Sequence, residues 1–157
     1  MNVFTVSFFG HRKINDISSI EHNLEQIVRE LIYENEFVEF LVGRDGDFDQ
    51  LATSVIHRCK RMYRQDNSSL VWVMPYPTAI FRDNEYSFKQ YYDEIEVYSS
   101  TSTCHFKAAF RARNQQMVNR SDLVVFYVEH KQGGAYQTMQ YAQQHAKLYL
   151  NIYKGRL

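Results

Sequence analysis

The 157-residue chain has few of the residues that break regular structure, with 2 Pro and 6 Gly. Collagen-like and low-complexity architectures are thereby excluded, since each needs one or both in quantity. Cysteine is scarce too: Cys59 and Cys104 stand far apart, with no CxxC spacing. That excludes a disulfide scaffold and reads as free thiols in a reducing cytoplasm. The neighbouring His57 and His105 add no recognised ligand spacing, so no metal is expected. No window comes near the roughly 18 apolar residues of a membrane span, and Met1 to Val6 carries no basic leader. Charge of one sign is also missing, because Lys+Arg 18 balances Asp+Glu 18. A surface that holds a polyanion needs a basic excess, so neither extended nucleic acid nor an anionic membrane is expected as a partner.

The chain does have a large apolar and aromatic content: 45% hydrophobic residues, with 12 Tyr, 11 Phe and 1 Trp. Disorder is excluded, and the length suits one domain over residues 1–157. Val3 to Phe9, Phe37 to Val42, Leu70 to Met74, Leu123 to Val128 and Leu148 to Ile152 read as five short buried strands. Between them lie helical patterns. Ile17, Ile20, Leu24, Ile27, Val28, Leu31 and Ile32 recur at three- and four-residue intervals, behind a Ser18/Glu21 capping-box spacing. Phe48 to Met62 forms a second helix, Phe106 to Asn119 a third, and Gly133-Gly134 opens a fourth through about Ala146. Residues 78–105 are Tyr-rich and aperiodic, and read as an irregular insertion. Alternating strands and helices predict an α/β, Rossmann-like, doubly wound parallel sheet of order 3-2-1-4-5, with helices on both faces.

In such a sheet, ligands bind beyond the carboxyl ends of the strands where the order reverses. Two loops meet there. Gly10-His11-Arg12-Lys13 places a glycine, an imidazole and two cations directly after the first strand. Glu129 to Gly134 places two glycines at a helix start, where free N–H groups and the helix dipole favour an anion. Thr138 adds a hydroxyl one turn on. The loop Gly43-Arg44-Asp45-Gly46-Asp47-Phe48-Asp49 lies alongside. Its alternate acids resemble a calcium loop, but the twelfth position from Asp45 is Ile56, so calcium is not expected. Asp49 is placed to meet a ligand hydroxyl or Arg12. Lys107, Arg111, Arg113 and Arg120 form a basic run in which Arg113 is a candidate anion contact.

Four blocks carry a family resemblance: Phe8-Phe9-Gly10-His11-Arg12; Gly43 through Ala52; Arg113-Asn114 through Val125, including Ser121-Asp122; and Gly133-Gly134 through Ala142. In this order they resemble the SLOG superfamily, and within it small stand-alone proteins near YpsA. The resemblance implies a Rossmann-like fold and a nucleotide-derived ligand. It implies a site of Gly10, His11, Arg12, Gly43, Asp49, Arg113, Asn114, Gly133, Gly134 and Thr138, with paired subunits. The similar LOG proteins cleave nucleoside monophosphates with a glutamate in a PGGxGTxxE signature. Here that position is Gln140 or Tyr141, depending on register, and neither can serve as a general base. The expectation is therefore a cytoplasmic small-molecule sensor or sequestering module without a dedicated cofactor. A nucleoside-phosphate N-glycosidase is the runner-up, and an interaction protein with a vestigial site the third reading.

Overall fold

The computed structural model describes residues 1–99 and 105–157. Cys104 and most of the 99–103 Ser/Thr run lie outside the described residues. The elements follow in the order β1 (Val3–Gly10), α1 (Ile17–Glu34), β2 (Phe37–Val42), α2 (Asp47–Met62), β3 (Ser68–Met74), α3 (Ala79–Asp83), α4 (Glu85–Tyr91), β4 (Glu94–Val97), α5 (Phe106–Asn119), β5 (Leu123–Tyr127), α6 (Gly134–Gln144) and β6 (Tyr149–Asn151). The strands form a parallel sheet of order β4-β3-β2-β1-β5-β6. The α/β, Rossmann-like expectation holds. The five expected strands keep their order, and β4 adds a sixth at the edge beside β3.

Neighbouring strand residues point to opposite faces, so both faces must be covered. On one face Val6, Phe8, Phe40 and Trp72 pack with Leu24, Val28 and Ile56 of α1 and α2. On the other, Phe9, Leu41, Val73 and Phe126 pack with Met117 of α5 and Met139 of α6. Strand β1 lies at the centre of both cores, between β2 and β5. Asp122 reinforces its pairing: the Thr5 N–H donates to the Asp122 carboxylate at 2.8 Å, and the Asp122 N–H donates to the Thr5 carbonyl at 2.7 Å. Ser121 joins Ser7 by a buried hydroxyl pair at 2.7 Å. The Ser121-Asp122 pair of the third sequence block is therefore a splice between α5, β1 and β5.

Two local expectations fail. Ser18 and Glu21 do not form a capping box, because α1 begins at Ile17 behind Asp16, which has φ 52 and caps nothing with its side chain. The 78–105 segment is not irregular in its described part. Phe81 and Phe88 pack edge-on against Trp72, at ring-centroid distances of 5.8 and 5.0 Å, and hold α3 and α4 against the sheet. Helices of five and seven residues are too short to display a 3.6-residue period, which is why the pattern does not reveal them. No helix among the described residues is long and apolar enough to cross a membrane.

Candidate functional site

The sheet order reverses between β1 and β5, where Gly10 pairs in register with Tyr127. A crevice of about 490 Å³ opens beyond those strand ends. Its lining includes Gly10, His11, Arg12, Asp49, Arg113, Asn114, Gly133 and Gly134, eight of the ten residues expected from sequence. A second hollow of about 590 Å³ continues from it between α5 and α6, sharing Arg12, Phe110, Asn114, Gly133 and Gly134 and adding Thr138. The two form one trough.

Gly10 ends β1 as glycine because a Cβ there would overlap the Phe48 ring at the start of α2. The loop that follows is pinned to α2: the Asp47 N–H donates to the Arg12 carbonyl at 2.8 Å. Arg12 and Lys13 project from this loop and are exposed. His11 turns inward. Its Nε2 accepts the Glu129 N–H at 2.9 Å, and its ring lies flat on His130, with centroids 3.8 Å apart. An accepting Nε2 requires the neutral ring with its proton on Nδ1. Burial holds the His11 pKa below its ordinary value, the His130 charge adds to that, and Glu129 pulls it upward. The His pair thus joins the β1 loop to the loop that leads into α6.

Gly133 has φ +90, a left-handed conformation that any side chain would strain. A Cβ on Gly133 or Gly134 would meet nothing within 4 Å. The backbone at the start of α6 is therefore open to a ligand, and the first-turn N–H groups have no intrahelical acceptors.

Arg113 is in the crevice, but its donors are committed. It is 3% exposed; Nη2 donates to Asp45 at 2.7 Å, Nη1 to the Val73 carbonyl at 3.0 Å, and Nε to Asn114 Oδ1 at 3.1 Å. Asn114 in turn donates to the Thr138 hydroxyl at 3.2 Å, and that hydroxyl donates to the Gly134 carbonyl at 2.8 Å. These residues form an internal brace that ties β3, the β2–α2 loop, α5 and the start of α6 together. Gly43 belongs to the brace and not to the crevice wall. A Cβ there would sit 2.9 Å from the carboxylate oxygens of Asp45 and Asp49 and 3.0 Å from Arg113. Asp49 accepts the Asp45 N–H at 3.0 Å, and its pKa is pushed up to about 7. Burial is the main cause and the Asp45 charge adds to it; the backbone hydrogen bond, Arg113 and Arg12 pull it down.

Sequence reasoning passed over Asp45, Phe110 and His130. Asp45 stood within a discarded calcium pattern. Phe110 carried a legible signal, three positions before Arg113 on one face of α5, and lies under its guanidinium at 5.2 Å. Nothing local distinguishes His130, whose role depends on His11 across the sheet.

Aromatic and basic groups alternate along the trough. Phe106, Phe110 and Tyr141 line its α5–α6 part beside Lys107 and Arg111, and Arg12 stands at the junction. Among the described residues none of Arg12, Lys13, Lys107 or Arg111 has a carboxylate within 4.0 Å. The other two members of the basic run are paired, Arg113 with Asp45 and Arg120 with Glu96, each at 2.7 Å. Glu96, Glu94 and Glu39 are the one group of three possible metal ligands among the described residues, and they lie apart from the trough.

No protein-family model matches the chain, and no curated protein does either. Among solved structures, the fold is similar to DNA processing protein A from Helicobacter pylori, at 18% identity and TM-score 0.66, over 93% of this chain and 63% of that one. That structure is described by its unique single-stranded DNA binding mode. The fold is similar also to DNA processing protein A (DprA) from Streptococcus pneumoniae, at 15% identity and TM-score 0.70, over 98% of this chain and 52% of that one. The chain thus spans a little over half to under two thirds of these proteins, and the likeness is one of fold. It agrees with the α/β, Rossmann-like architecture described above. It overturns the expectation of a small-molecule nucleotide sensor, and with it the exclusion of extended nucleic acid as a partner. The physical reason is that net charge averages the whole surface, whereas the free cations of the trough are local.

Proposed function

We propose that the trough binds single-stranded nucleic acid. The observation that carries this reading is the trough itself: four cations free of carboxylates and three aromatic rings border the open backbone of Gly133-Gly134. A phosphate at the start of α6 meets free N–H groups and the positive end of the helix dipole. Arg12, Lys13, Lys107 and Arg111 take neighbouring phosphates, and Phe106, Phe110 and Tyr141 offer faces to unstacked bases. A duplex keeps its bases inside and cannot use those rings. Arg113 acts as a positioning residue, holding Asn114 and α5 against the β2–α2 loop. The fold likeness to a protein described as binding single-stranded DNA supports the same reading. The finer placement beside YpsA-like stand-alone proteins rests on the four sequence blocks.

Fluorescence anisotropy with a labelled oligothymidylate at low salt tests the proposal. Saturable binding is expected, weaker for a duplex of equal length, and reduced about ten-fold or more by Arg12→Ala and by Gly134→Asp. The second variant places a carboxylate where the phosphate should rest, in space the free protein leaves open. Absence of saturable binding at low salt, or full affinity in both variants, overturns the reading.

A further inference from the structure

A third hollow, of about 360 Å³, lies between α2 and α4, apart from the trough. Thr53 and Arg44 contribute from the α2 side, and Ser87, Phe88, Tyr91 and Tyr92 from α4 and its end. Its walls are aromatic and ordered. The Tyr91 ring lies flat on His57, with centroids 4.2 Å apart at 4°, and meets Tyr92 edge-on at 5.2 Å. The Arg44 guanidinium stands over the Phe88 ring at 4.8 Å, and its Nη1 donates to the Tyr92 hydroxyl at 3.4 Å. Among the described residues Arg44 has no carboxylate within 4.0 Å. Core packing accounts for Phe88 and Tyr92, which lie against Trp72, but not for Arg44 or Tyr91, which stay exposed at the mouth. Flat rings, hydroxyl groups and one cation without a carboxylate partner, within a hollow of this size, suit a planar heteroaromatic group attached to an anion.

The hollow also has a defined relation to the trough. Arg44 and Asp45 are consecutive in the β2–α2 loop; Asp45 lines the crevice and Arg44 lines the hollow. One loop separates the two.

The geometry points to a second nucleic-acid subsite: the hollow takes one unstacked base of a strand that leaves the trough across the β2–α2 loop, and Arg44 takes its phosphate. This inference rests on the single-strand reading of the trough. The Tyr91 ring and Arg44 do different work, one through the base face and the other through charge.

Trp72 provides a reporter, because it is the one tryptophan of the chain and touches the hollow's wall, 5.0 Å from Phe88 and 5.3 Å from Tyr92. Oligothymidylates of graded length are titrated into the full chain, following Trp72 emission together with anisotropy. Short strands should bind without changing the emission, and long strands should change it. Arg44→Ala and Tyr91→Ala should each weaken long strands about ten-fold, the scale of one base–aromatic stack, and leave short ones unaffected. Tyr91→Phe keeps the ring and should bind as the wild type does. Arg44→Ala, at an exposed position, decides the question if Tyr91→Ala fails to fold. Long strands that bind through Arg12 with unchanged Trp72 emission and no effect of Arg44→Ala overturn the second subsite and leave the trough standing. No binding at any length overturns both.

Discussion

Asp49 combines burial with a second carboxyl group nearby, and the consequence is a measurable dependence on pH. Its ordinary value is 3.8, and in the fold it is pushed up to about 7. Between those limits the folded chain holds a proton that the unfolded chain has lost. The stabilisation from that proton is whole below about pH 4 and is lost as pH rises through 7. Asp49→Asn keeps an acceptor for the Asp45 N–H but does not titrate. Urea denaturation should therefore show the variant gaining on the wild type from pH 4 to pH 8, by on the order of 4 kcal/mol. A constant difference across that range would contradict this account. His11 works in the opposite direction, because its pKa is lowered: stability falls as pH drops below its ordinary 6.5, and comparison of the two chains cancels that contribution. The sequence blocks already placed Asp49 and Arg113 at the crevice, where the structure puts them. Their commitment to an internal brace was not legible, since Val73 and Asp45 reach Arg113 from two elements distant in the chain.

At the scale of elements, the glycines that flank the crevice have two different physical causes. Gly10 ends β1 against the Phe48 ring, so Gly10→Ala must displace that ring or the strand end. Thermal or urea denaturation should show a loss on the order of 2 kcal/mol. Gly134 begins α6 in open space, and Gly134→Ala should change stability by less than about 1 kcal/mol. If the two substitutions cost the same, the distinction fails. Sequence pattern alone marks both as glycine after a strand or before a helix, and the neighbour that decides Gly10 lies 38 residues away. The elements themselves were read well wherever they carry a sustained period, as in α1 and α2. Two short helices and β4 escaped because their order comes from Trp72 and the edge of β3, contacts that leave no period in the sequence.

For the whole molecule, zero net charge sets what salt should do. Four free cations along the trough imply about four displaced counterions, so the logarithm of affinity for a single strand should fall with the logarithm of salt at a slope of about −3. Lys107→Ala should make that slope shallower by about 0.7 without altering preference among base sequences. A slope near zero would mean that the trough holds strands without its cations. A slope far steeper than −3 would mean that basic groups elsewhere on the surface take part.

The order of the five expected strands, both apolar faces of the sheet, and the reversal point between β1 and β5 were all determined by the sequence. Periodicity and loop composition record them locally, residue by residue. Only the tertiary structure decided which charges are free. Arg113 and Arg12 look alike in the sequence, yet the first is spent on Asp45 and a buried carbonyl while the second faces solvent. Pairing depends on distance in space between elements far apart in the chain, and that distance separates an evenly charged surface from a trough with cations to spare.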